Sequence, residues 1–169
     1  MHDPHVIRIH AEKKGLGISR KTVELIRSAA IISLAMEDVD FDCEIDITLT
    51  DDDGIREINR EQRNIDASTD VLSFPAVNGC DGHIQPELSD FNTRTGRLFL
   101  GEMVISIPHA RAQGAEFGHG MTRETAYLTV HSVMHLLGYD HVDDEERKAL
   151  MRGREERVLA MMGLSRKED

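Results

Sequence analysis

Apolar residues along this 169-residue chain recur with two periods, and the switches between them lay out the elements. "HVIRIH" (5–10) alternates roughly and reads as a first strand. In "SRKTVELIRSAAIISLAMED" (19–38), Val23, Ile26, Ala30 and Leu34 return at helical spacing, with Ser19 placed to cap the helix. "CEIDITLT" (43–50) alternates strictly: Cys43, Ile45, Ile47 and Leu49 share one face, which predicts a half-exposed strand. "DDDGIREINREQR" (51–63) predicts a short capped helix that buries Ile55 and Ile58, and "DVLSFP" (70–75) a short strand closed by Pro75. Periodicity vanishes over 76–97, where Gly, Asn, Asp and Pro are dense; a long loop with a hairpin-like excursion is expected. "LFLGEMVISI" (98–107) returns to strand, and Pro108 suits the first turn of a helix running to Phe117. "TRETAYLTVHSVMHLLG" (122–138) predicts a strong helix that starts at Met121 or Thr122 and ends with Gly138 in the left-handed region. The last helix falls in "DDEERKALMRGREERVLAMMG" (143–163), with Asp143 and Glu146 in a capping-box pattern and Leu150, Met151, Val158 and Met161 toward the core. Together these predict one α+β domain over residues 1–169: a small mixed four-stranded sheet with about five helices packed on it.

Composition narrows the class. The chain is 40% hydrophobic and 30% charged, with no apolar run long enough to span a membrane. "MHDPHVIRIH" lacks the apolar core of a secretion signal, and the two cysteines, Cys43 and Cys80, form no CxxC pair. A disulfide scaffold is excluded and a cytoplasmic location expected. The formal net charge is −11, which repels nucleic acid at long range. Handling RNA would require a local cationic cleft, aided by a metal ion.

The chemistry concentrates in "HSVMHLLGYDH" (131–141). His131 and His135 lie four apart on the predicted helix; four residues turn about 400°, so both rings leave one side, roughly 6 Å apart along the axis. Gly138 ends the helix, and His141 can return toward the same point. Three imidazoles at this spacing suit one zinc ion and leave a fourth position open, as in a catalytic rather than a structural site. Nickel and cobalt accept the same ligands. Zinc proteases of similar spacing carry a glutamate base directly after the first histidine. Here that position is Ser132, whose hydroxyl stays protonated at neutral pH. Phosphodiester cleavage, in which a metal and an arginine share the developing charge, fits the residues better than peptide hydrolysis.

Four stretches, "INREQRNIDASTDVLSFP" (58–75), "LGEMVIS" (100–106), "EFGH" (116–119) and "HSVMHLLGYDH", make the chain resemble the YbeY family of bacterial zinc-dependent endoribonucleases, over residues 45 to 142. The resemblance implies His131, His135 and His141 as ligands of one zinc per chain, and Arg63 as the essential arginine beside it. It implies single-stranded RNA as substrate, roles in 16S rRNA 3′-end maturation and ribosome quality control, and ribosomal small-subunit components as candidate partners. Judged by spacing alone, Arg63 is a solvated arginine at a helix end; the resemblance reverses that reading. Departures are Ser132 where the family usually has Gly, "LGEM" for the commoner "LGDI", and a long 76–97 loop.

Other residues carry weaker expectations. Cys80 and His83 make at most half of a second metal site. Arg94 and Arg97 read as a solvated basic loop, His109 and His119 as structural or exposed, and Asn59, Thr69 and Asp70 as holders of loop geometry. Asp140 is a candidate partner for a metal ligand, or a cap for the following turn. Two rival functions remain: a zinc hydrolase of peptides, which needs a carboxylate in the cleft, and a non-catalytic ribosome-assembly factor in which zinc only staples the last two helices.

Overall fold

The parallel pairing of the first strand with the second, across an intervening helix, begins a layered α+β fold. The structure, a computed structural model, describes residues 4–140 and 143–166. Strands β1 (Val6–Ala11), β2 (Cys43–Thr50), β3 (Val71–Pro75), β4 (Gly79–Cys80), β5 (His83–Ile84) and β6 (Leu98–Ser106) combine with helices α1 (Arg20–Met36), α2 (Asp52–Arg63), α3 (Ile107–Glu116), α4 (Gly120–Leu136) and α5 (Glu145–Met161). The main sheet has the order β1-β2-β6-β3. β1, β2 and β6 run parallel, and β3 pairs antiparallel with β6. This is the predicted four-stranded mixed sheet with five helices.

Side-chain alternation decides which helix covers which face. Ile45, Ile47 and Leu49 of β2 and Met103 and Ile105 of β6 enter one core with Ile26 and Leu34 of α1 and Leu128 and Val130 of α4. Val104, between Met103 and Ile105, points the other way and packs with Leu72 and with Ile55 of α2. α4 touches α1, α3, α5, β3 and β6. It is therefore buried on nearly all sides, including Glu124, Thr129 and Ser132.

Caps set the helix starts. Ser19 Oγ accepts from Thr22 N–H at 3.1 Å, and Asp51 Oδ1 from Gly54 N–H at 2.8 Å. At α5 the cap is Asp144 rather than the expected Asp143: its Oδ1 accepts from Glu146 and Arg147 N–H at 3.0 and 3.1 Å. Such a cap contributes about 1 kcal/mol. The core stripe of α5 also differs from expectation. Met151, Glu155, Val158 and Leu159 are buried, while Leu150 and Met161 are 44% and 64% exposed. Cys43 is buried and its thiol pushed up to about 12 by desolvation, with the Asp42 charge adding to the effect; Cys80 is exposed, and both are free.

β2 is less exposed than its alternation suggests, because Glu44 is buried. The 76–97 segment explains this. It holds the β4–β5 hairpin and a 3-10 turn (Leu88–Asp90), then lays Asn92 and Thr95 on the sheet. Glu44 accepts from Thr95 Oγ1 at 2.7 Å, Asn92 Nδ2 at 3.3 Å and Arg8 Nη2 at 3.1 Å. Burial raises the Glu44 pKa, but these donors outweigh it and hold the carboxyl below its ordinary value. A depressed carboxyl stabilises the fold above its unfolded pKa, about 4.3, and that contribution is lost as pH falls through the folded value. Glu44→Gln should therefore lower stability by about 2 kcal/mol at pH 7. In urea melts the gap to wild type should close as the pH drops below about 4.

Candidate metal centre and cleft

His131 and His135 occupy successive turns of α4, which the surrounding layers hold rigid. Their rings meet edge to face, with centroids 4.7 Å apart and planes at 86°. The two Nε2 atoms converge to 3.2 Å. Each Nδ1 faces an acceptor. For His135 it is the Tyr139 carbonyl at 2.9 Å, and for His131 both oxygens of Glu155, at 3.3 Å each. A carbonyl only accepts, and so does an ionised carboxylate, so each Nδ1 carries the proton. Both Nε2 atoms then present lone pairs to a common point. Two acceptor nitrogens this close are stabilised by a cation between them. Four-coordinate zinc with bonds of about 2.0–2.1 Å would space two nitrogens about 3.3–3.4 Å apart. The residues present therefore fit a divalent cation. His141, the third expected ligand, lies outside the described residues; among the described residues no cluster of three metal-ligating side chains occurs.

Gly138 does more than end a helix. It has φ +90°, and a Cβ there would collide with the backbone of Gly79 and Cys80. That close approach lets the hairpin dock: Asp81 and Gly82 N–H donate to the carbonyls of Gly138 and Leu137 at 3.2 and 3.1 Å. The hairpin thus walls one side of a cleft of about 550 Å³, whose lining includes Arg63, Asp70, His131, His135, Gly138 and Asp140.

Arg63 also lines the cleft. It is the last residue of α2, and Asn64, in the left-handed conformation, turns the chain away. One Nη2 proton is donated to the Ser73 carbonyl of β3 at 2.8 Å, and the guanidinium sits 5.4 Å from the centre of the Phe74 ring. Among the described residues no carboxylate pairs with it, so most of its donors remain available to an anion. Ser132 is fully buried, and its hydroxyl bonds Ser73 Oγ at 2.6 Å. It ties α4 to the strand that anchors Arg63.

Among the weaker candidates, Asn59 donates to Ala67 O at 2.9 Å, and Asp70 Oδ1 accepts from Val71 N–H at 2.7 Å and Thr69 Oγ1 at 3.3 Å, as expected of loop holders. Asp70 and Asp140 nonetheless also line the cleft. His109 bonds Asp52 at 2.9 Å, and His119 bonds the buried Glu124 at 2.7 Å. Arg97 donates to Pro4 O, while the Arg94 side chain is exposed. Cys80 and His83 pair across the β4–β5 hairpin, where Arg147 lies 3.5 Å from the thiol. Two side-chain partners of His131 escaped the sequence reading: Glu155 and Tyr127, whose ring stacks on His131 at 5.6 Å. Burial, and next the Glu155 charge, push the Tyr127 hydroxyl pKa up, so it stays protonated beside that carboxylate. The available signal was a carboxylate at a core position, since residue 155 shares a helical face with Met151, Val158 and Leu159.

The family model described as "Endoribonuclease YbeY" matches residues 8–163. A protein named "Endoribonuclease YbeY" from Acetivibrio thermocellus is 44% identical over 149 residues, covering 88% of this chain and 91% of that one. One of the same name from Clostridium botulinum is 40% identical over 167 residues, covering 95% of this chain and all of its own. The solution structure of TM1509 from Thermotoga maritima superposes with a TM-score of 0.57 at 25% identity, covering 94% of this chain and 92% of that one. With the family model spanning nearly the whole fold and relatives this similar, the chain belongs to the YbeY endoribonuclease family.

Proposed function

We propose that this chain is a single-domain, zinc-dependent endoribonuclease that cuts single-stranded RNA in the cytoplasm during maturation of the 16S rRNA 3′ end and ribosome quality control, with ribosomal small-subunit components as its partners. The observation that carries the proposal is the convergence of two imidazole Nε2 atoms to 3.2 Å in a cleft that also holds an arginine with unused donors. His131 and His135 would hold the ion, and His141, next along the chain, would be the third ligand. Bound there, the cation would act as a Lewis acid on a phosphodiester oxygen.

The remaining work falls to the protein. Arg63, braced by the Ser73 carbonyl and the Phe74 ring, offers a planar pair of N–H groups to a phosphate, where it offsets the negative charge that grows as the phosphorus becomes five-coordinate. Ser132 takes no proton, because its hydroxyl is committed to Ser73. The proton of the attacking water or RNA 2′-hydroxyl goes instead to Asp70, a carboxylate lining the same cleft and held by Val71 N–H, while the ribose oxygen whose bond to phosphorus breaks takes a proton from solvent. A cleft carboxylate would serve a peptide hydrolase equally well; family membership, together with Arg63, favours RNA. A chain of net charge −11 gains nothing from long-range attraction, so local contacts at the cleft must seat the strand. Among the described residues no helix is long and apolar enough to cross a membrane.

The test is cleavage of a single-stranded RNA with metal content measured in parallel. Arg63→Ala should keep its metal and lose about 10²-fold or more in kcat. Asp70→Asn, which retains the oxygen that accepts from Val71, should likewise keep metal and lose at least about 10²-fold. His135→Ala should lose both metal and activity. Full activity in metal-replete Arg63→Ala, or no RNA cleavage by metal-replete wild type, would sink the reading. Separately, Ser132→Ala should cost about 1 kcal/mol in denaturant melts yet cut RNA at the wild-type rate; a large loss of kcat would show that the Ser132 hydroxyl, directly or through its tie to Ser73, is needed for cleavage.

A further inference from the structure

Glu155 sits on α5, 24 residues along the chain from the histidine it touches. It is 4% exposed, and a carboxylate so buried is costly unless compensated. Its neighbour Glu156 has an ordinary solution, an ion pair with Arg123 at 3.1 Å. The partner of Glu155 is instead His131 Nδ1, equidistant from both carboxylate oxygens at 3.3 Å. Tyr127 completes the arrangement: its ring stacks on His131 and its hydroxyl lies beside Glu155. The His131 ring is thereby fixed in rotation, with Nδ1 toward α5 and Nε2 toward His135.

We infer that Glu155 is a positioning residue for the metal: it orients His131, selects the tautomer whose Nε2 faces the ion, and couples ion binding to the seating of α5 on α4. The inference rests on the metal reading above. Its physical basis is mutual. A carboxylate on the far nitrogen makes an imidazole a stronger ligand, and a dication on the near nitrogen strengthens the N–H that compensates the buried carboxylate. The sequence places this carboxylate where it does because α5 presents residues 151, 155, 158 and 159 as one face, and that face packs on α4. The coupling should therefore be measurable at two places, the ion and the helix.

Titration of the apoprotein with Co²⁺ alone tests this, read by its visible absorption spectrum and by thermal melts. Glu155→Gln should bind cobalt 10- to 100-fold more weakly, roughly the loss seen when such partners are removed elsewhere. Its cobalt spectrum should shift, and the rise in Tm on adding cobalt should shrink. Glu156→Gln, on the adjacent position, removes the Arg123 pair and should lower Tm while leaving cobalt affinity within about twofold. If Glu155→Gln binds cobalt with wild-type affinity and spectrum, the positioning role is wrong although the metal site stands. If wild type itself binds no cobalt, the metal reading falls and this inference with it. Should the variant be unfolded without metal, far-UV circular dichroism follows refolding. Recovery at tenfold or higher cobalt than wild type supports the role, and no recovery at any concentration makes Glu155 purely architectural and overturns it.

Discussion

Two imidazole nitrogens held 3.2 Å apart, each with its proton turned away, are the constraint around which the rest of the molecule is arranged. Holding such a pair requires a scaffold that does not relax. α4 supplies it by being covered on nearly every side, so that a rotation relieving the histidines would disturb the packing of Val130, Val133 and Met134. Each ring is then fixed by a second contact, a backbone carbonyl for one and a buried carboxylate for the other. The fold puts its most buried helix at the position where small displacements matter most for ligand geometry.

Around that centre the cleft is built from pieces distant in sequence, joined by short polar links. Arg63 reaches it from the end of α2 by leaning on β3, β3 is tied to α4 through the Ser73–Ser132 hydroxyl pair, and the β4–β5 hairpin rests against the turn at Gly138. The buried serine at 132 adds a tie between the strand that braces the arginine and the helix that carries the histidines. The question raised by a serine in the place of a protease base thus has a structural answer: the hydroxyl is buried and joins two elements.

Much of this was legible in the chain. Period and caps gave the elements to within a residue or two, because the helical or alternating period is clear in α1 and β2 and strong signals such as Ser19 and Pro108 mark where helices begin. The two described histidines were legible from helical spacing alone, since four residues on a helix leave little choice of direction. What failed did so for tertiary reasons. Glu44 looked solvent-facing because its covering loop lies 48 or more residues away. Leu150 and Met161 looked like core because hydrophobicity was weighed above the exact angle of the face, and the carboxylate that does occupy that face, Glu155, was lost among many acidic neighbours. Asp144 displaced Asp143 as the cap because neighbouring aspartates are interchangeable until the backbone chooses.

The long segment between β3 and β6 is pinned twice, by the hairpin on the Gly138 turn and by Asn92 and Thr95 on Glu44. Between these anchors the chain around Pro86 and Glu87 does not line the cleft. Lengthening it there adds only loop entropy, which grows slowly with length. That stretch is accordingly a permissive graft point, where an affinity tag or a fluorescent reporter can be spliced in to follow the protein without touching its chemistry.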